Sequence, residues 1–177
     1  MSEKILVTYA TKYGSTQGVA KAIADELQSK GFLIDFYPAR EVKSLSGYDA
    51  VVLGSPLYIG SFLSDASRFL SRFKSDLERI PCALFVLGPL EKNPRDMVEV
   101  QVQLDNIMNR ISWFKPMIVE IFTGAMDIEK FRFPDSLLKI MPVGKDNPLF
   151  KTYDGRDWEA IRAWADSLPK IFEKQPV

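Results

Sequence analysis

Two short stretches carry the residues best suited to hold a ligand. The first, YATKYGST at 9–16, gathers the hydroxyls of Thr11, Ser15 and Thr16 with Lys12, Tyr13 and the permissive Gly14, just ahead of an amphipathic run. Hydroxyls and a glycine before a helix offer donors to an anion, and the first N–H groups of the helix add theirs, so a phosphate would be well served there. A hydroxyl in that position also caps a helix, and from the residues alone both readings stand. Lys12 reads equally as a solvated surface charge or as an added attraction for phosphate. The second stretch, GSPLYIGS at 54–61, brackets Pro56 between Gly54 and Gly60 and presents Ser55, Leu57, Tyr58 and Ile59. A planar ligand suits such a loop, with backbone groups at its edge and Tyr58 or Ile59 at its face. An ordinary strand-to-helix turn punctuated by Gly and Pro has the same composition.

Several chemistries are excluded at once. The chain has no histidine, which removes Ser-His hydrolysis and His-ligated zinc. The first turn lacks the Gly-Lys-Ser/Thr ending of a P-loop, and the dinucleotide pattern G-x-G-x-x-G is missing too. A phosphoacceptor receiver wants acidic residues at its first and third strand ends, where Thr8, Tyr9 and Leu53, Gly54, Ser55 stand instead. Lys plus Arg and Asp plus Glu each number 23, so no bulk field points to nucleic acid. Cys82, in the apolar run CALFVLG, reads as a buried structural thiol in a reducing compartment. Neither a leader nor a run of about 18 apolar residues stands out, which predicts a cytoplasmic protein.

The elements that must position these turns alternate. KILVTY at 4–9 is a short apolar run; Val19, Ala20, Ile23, Ala24 and Leu27 then recur at helical spacing until Gly31, and LIDFY at 33–37 resumes an extended pattern. The alternation continues with a strand at 49–54, a helix at about 62–75, a strand at 82–88, a helix at about 95–111 and a strand at 117–124. A final helix over 157–168 has Asp157 at its N-cap and Trp158, Ile161, Trp164, Ala165 and Leu168 on one face. Strands such as AVVL and ALFVL are apolar without alternation, as when helices cover both faces of a parallel sheet. The expectation is an α/β fold, a doubly wound five-stranded parallel sheet with helices on both faces, in a single domain over 1–177. Both turns then fall at carboxyl ends of strands, where open parallel sheets bind ligands.

Together the turns resemble the flavodoxin family. Tyr9, Thr11, Gly14, Thr16 and Ala20 fill its phosphate-loop pattern, with Ile23 as the following apolar position and Thr8 where the pattern prefers an apolar residue. The GSPLYIG loop is similar to the isoalloxazine loop of flavodoxin-like quinone reductases, with Tyr58 in place of the usual Arg and Ile59 in place of the usual aromatic. The resemblance implies FMN, held by Thr11, Lys12, Tyr13, Gly14, Ser15 and Thr16 and lined by Ser55, Pro56, Leu57, Tyr58, Ile59 and Gly60. It adds Leu87, Gly88, Pro89 and Leu90 of the third strand-end turn as further flanking residues. More narrowly, the chain resembles the flavodoxin-domain proteins grouped with menaquinone-dependent protoporphyrinogen oxidases, through both loops, the segment VEIFTGAMDIEKFRFPDSLLKIM and the closing YDGRDWEAIRAWADSL.

That likeness implies an FMN oxidoreductase working on a quinone-linked or porphyrin-type substrate; a one-electron carrier docking on redox proteins and a scaffold without FMN are the other readings. GSPLYIGS has no carboxylate, so full reduction of a flavin should be less penalised than in an acidic flavodoxin, favouring two-electron transfer. The segment at about 125–155 is too long for a plain connection. Its Phe131, Phe133, Leu137, Leu138, Ile140 and Met141 would cover the flavin, take a hydrophobic substrate, rest on a membrane surface peripherally, or pack on the domain's own core.

Overall fold

The computed structural model describes residues 3–89, 91–127, 130 and 152–173. Its centre is a sheet in the order β2-β1-β3-β5-β6, formed by β1 (Lys4–Tyr9), β2 (Leu33–Pro38), β3 (Ala50–Tyr58), β5 (Cys82–Leu87) and β6 (Ile118–Phe122). Every neighbouring pair along that path is parallel. The five expected strands are all present, within a few residues of the expected bounds.

Alternate residues of each strand enter different cores. Ile5, Val7, Val52 and Phe85 face α1 (Ser15–Ser29) and α5 (Trp158–Phe172), meeting Ile23, Leu27, Ile161 and Leu168. Leu6, Val51, Leu53 and Leu84 face the other side, where α2 (Ser64–Arg72), α3 (Lys74–Leu77) and α4 (Pro94–Arg110) supply Phe69, Leu70, Leu77, Leu104 and Ile107. Burial of each such side chain contributes about 1.5–3 kcal/mol, which is why strands apolar on both faces settle in the middle of the layers. Where Gly54 of β3 pairs with Phe85 of β5, a Cβ on Gly54 would lie 2.0 Å from the Phe85 ring, so only glycine lets that ring lie across the strand. Cys82 is buried, and burial pushes its thiol up to about 12.

Three features differ from the sequence expectation. β3 runs on to Tyr58 and turns back through β4 (Ser61–Phe62) as an antiparallel hairpin, so the next helix begins at Ser64. α5 continues past Leu168 through Pro169, because Trp164, Leu168 and Phe172 form one buried i, i+4 stripe that packing keeps helical. A second small ribbon, β7 (Ala125–Met126) with β8 (Tyr153–Asp154), brackets the segment expected to be irregular. Residues 131–151, with Phe131, Phe133, Leu137, Leu138, Ile140 and Met141, lie outside the described residues. Among the described residues no helix is long and apolar enough to cross a membrane.

The chain passes from β1 outward to β2 and returns across β1 to β3. Strand order therefore reverses between β1 and β3, and a crevice opens outside their carboxyl ends. Those ends are Tyr9 and the stretch from Gly54 to Tyr58.

Candidate functional site

The first turn leaves β1 tied to its neighbour: Ala10 N–H donates to Gly54 O at 2.8 Å. Gly14 occupies the N-cap of α1 in the left-handed region, φ 95°, and its N–H donates to Thr11 Oγ1 at 2.9 Å. No side chain caps the helix. This corrects the capping reading of Ser15 and Thr16: the sharp Gly14 bend already places both hydroxyls inside the first turn, one step too late to fold back on it. The first bond of the helix is Gly18 N–H to Gly14 O at 3.1 Å. The N–H groups of Ser15, Thr16 and Gln17 are thus those that a helix leaves without intrahelical partners, at the positive end of its dipole.

Thr16 is fully buried, and its Oγ1 is one of two buried side-chain polar atoms without a partner among the described residues; the other is Trp164 Nε1, in the core. A buried hydroxyl left unbonded costs about 1–3 kcal/mol. Thr8, by contrast, is buried with its Oγ1 donating to Tyr37 O at 2.8 Å, so the apolar position it replaces in the resemblance is satisfied.

Lys12 joins the two turns. Its Nζ donates to Tyr58 Oη at 2.8 Å and stands 4.0 Å from the Tyr58 ring centroid and 5.5 Å from that of Tyr13. Tyr58 is 38% exposed and Ile59 88% exposed at the tip of the β3–β4 hairpin. The two turn residues have φ 51° at Ile59 and 67° at Gly60, the geometry a two-residue hairpin prefers to fill with Asn-Gly. A β-branched residue there is strained. Arg110, the last residue of α4, holds the tip by donating from Nη2 to Gly60 O at 2.9 Å.

The remaining candidates divide between surface and interior. Pro56 and Leu57 are half-buried. Ser55 is fully buried, its hydroxyl donating to Pro56 O at 3.0 Å and accepting from Leu63 N–H at 3.3 Å, so it fastens the hairpin to the start of α2. Leu87 is buried in the core beside Phe122. Gly88 N–H donates to Phe122 O at 2.8 Å, and Pro89 O accepts from Gly124 N–H at 2.9 Å. Leu90 lies outside the described residues.

One neighbour of the first turn was not visible in the sequence. Arg156 lies against the start of α1, 141 residues away along the chain, with Nη1 3.4 Å from Ser15 O. Its Nε and Nη2 grip both oxygens of Asp154 at 2.8 and 2.6 Å, and its guanidinium sits 4.5 Å over the Trp158 ring. The Arg156 hydrogen bonds hold the Asp154 carboxyl below the usual carboxylate range. A Cβ on Gly18 would approach Arg156 Nη1 to 2.8 Å, so this glycine gives the arginine its berth. A cavity of about 220 Å³ opens between Tyr13, Gly14 and Ser15 on one side and the β7–β8 ribbon with Lys130 and Arg156 on the other. Asp127 and Asp154 line it as well, paired with Lys130 and Arg156, so the donors it offers an anion are chiefly the leading N–H groups of α1. Among the described residues no group of three or more His, Cys, Asp or Glu side chains converges on a metal position.

Comparisons with known proteins agree with this fold. The Flavodoxin domain family matches residues 6–143. Over 176 residues the chain is 22% identical to protoporphyrinogen IX dehydrogenase (quinone) of Escherichia coli strain K12, covering 97% of each. Among solved structures, oxidised flavodoxin 1 from Bacillus cereus superposes with a TM-score of 0.58 at 15% identity, over 99% of this chain and 100% of that one. A flavodoxin from the domain Archaea gives 0.53 at 15% identity, over 95% and 98%. At such identities the two structures speak to the fold.

Proposed function

The chain belongs to the flavodoxin domain family, and from that premise we propose that it is an FMN oxidoreductase exchanging electrons with a quinone-linked or porphyrin-type substrate. The observation that carries the cofactor assignment is the buried, unpartnered Thr16 hydroxyl at the first turn of α1. In this reading Thr16, Ser15 and the leading N–H groups of α1 bind the phosphate, assisted by the hydroxyl of Thr11, which keeps a proton to donate while accepting from Gly14 N–H. The position accords with the rule that open parallel sheets bind at the switch point, of which flavodoxins are themselves an instance.

FMN supplies the redox chemistry when bound. The protein's part is to bind, orient and set the local charge. Tyr58 and Ile59 present a partly exposed phenol and an exposed aliphatic side chain at the hairpin tip, a surface suited to a flat ring. Residues 54–61 contain no carboxylate, and the cation of Lys12 reaches across to Tyr58. With no carboxylate in that loop to repel it, negative charge accumulating there is less penalised, which favours two-electron over one-electron exchange.

The substrate class is supported by the extent of the likeness to the E. coli quinone-linked protoporphyrinogen IX dehydrogenase, which takes in the segment at 125–155 together with the sheet. The FMN-loaded protein, mixed anaerobically with protoporphyrinogen IX and then with a menaquinone analogue, tests it. Loss of the oxidised flavin band on the first addition and its return on the second are the expected results. Indifference to both reagents, with exchange only through redox proteins, would leave the carrier reading instead.

A further inference from the structure

On the face away from α1 and α5, a groove of about 400 Å³ runs between α2, α3, β4 and the carboxyl end of α4. We propose that this groove is a binding site for a small aromatic anion, a ligand with a flat apolar body and a carboxylate or sulfonate. Its volume falls in the range of about 300–1,000 Å³ typical of small-molecule sites. Phe62, Leu70 and Ile107 give it an apolar floor, and Trp113 forms a wall. Above them stand Lys74 and Arg110, and no carboxylate lines the groove.

Neither cation has an acidic partner among the described residues. Lys74 Nζ lies 5.3 Å from the Trp113 ring centroid. Arg110 is fixed at two points, Nε to Asn106 O at 3.3 Å and Nη2 to Gly60 O at 2.9 Å, which pre-orders a guanidinium with donors to spare. Two uncompensated positive charges over an apolar floor select against a neutral hydrocarbon, which would leave them unanswered, and against a fully hydrated inorganic anion, which would leave the floor wet. An aromatic anion satisfies both. The site is independent of the flavin assignment. It nevertheless touches the hairpin, because the arginine that would meet the ligand also holds Gly60.

The test uses the full-length protein and 8-anilinonaphthalene-1-sulfonate, with N-phenyl-1-naphthylamine as the same ring pair lacking the charge. Both are titrated by fluorescence, with and without FMN. The sulfonate should bind at one per chain in either condition and lose about tenfold in affinity in Lys74→Gln. The neutral probe should be indifferent to that change. Ser67→Phe, at an exposed position lining the groove, should obstruct both probes, while Arg40→Gln, a cation outside it, should affect neither. Thermal melts of each variant check that the fold is kept, and Lys74→Gln, a surface charge change, decides the matter should Ser67→Phe fail to fold. Sulfonate binding that Lys74→Gln leaves unchanged, or equal affinity for charged and neutral probes, would overturn the proposal.

Discussion

Thr16 concentrates the account in one side chain, because its hydroxyl is buried without a partner beside the loop that the resemblance assigns to phosphate. Thr16→Val keeps the branched shape and removes the orphan. The apoprotein should therefore be unchanged or more stable by about 1 kcal/mol in a denaturant titration, since no intramolecular bond is lost. FMN affinity should fall about tenfold, the value of a hydrogen bond to a charged group, while riboflavin affinity should stay put. A loss of apoprotein stability with unaltered FMN binding would assign Thr16 to packing alone. The residues of this turn were legible in the sequence, but their roles were not: a capping hydroxyl and a phosphate donor look alike in one dimension. The left-handed Gly14 removes the capping reading, and that bend appears only in the backbone. Arg156 was hidden for a different reason, since 141 residues separate it from the Ser15 carbonyl it approaches.

At the scale of elements, strands and helices followed from hydrophobic period, and their junctions did not. The β3–β4 hairpin escaped notice because Ile59-Gly60 lacks the Asn-Gly that announces such a turn, although the structure gives both residues positive φ. Ile59→Asn should relieve that strain and raise stability by about 1 kcal/mol in urea unfolding; a decrease would mean that the exposed isoleucine makes contacts which outweigh its backbone cost. The cap of α5 was readable from Asp157 alone. Its side chain accepts from Ala160 N–H at 3.0 Å. Asp157→Ala should cost about 1 kcal/mol and lower Tm by about 2–4 °C, as read by calorimetry. The far end of α5 misled because Pro169 suggests a stop, whereas buried Phe172 one turn on holds the helix together.

For the molecule as a whole, unbroken apolar strands announced a parallel sheet covered on both faces, while strand order, set by contacts between distant segments, leaves no local signal in the sequence. Its edge strand carries part of the acid sensitivity. Asp35 of β2 accepts from Tyr48 Oη at 2.6 Å and pairs with Lys4 Nζ at 2.9 Å, and these contacts, Tyr48's first, hold its carboxyl below the usual range. A depressed carboxyl contributes stability that is complete above its unfolded value of about 3.9 and disappears as pH falls through the lower folded value. Melts taken across that acid window should show Tm falling, and falling less steeply in Asp35→Asn. The proposed flavin chemistry, however, depends on the crevice between β1 and β3. The direct test is to titrate the purified apoprotein with FMN and with riboflavin, following flavin fluorescence and retention through gel filtration. FMN should be quenched and retained at one per chain, with riboflavin bound at least about tenfold more weakly for want of the phosphate. Equal affinity for the two, or no retention of FMN, would contradict a phosphate-binding turn at the head of α1.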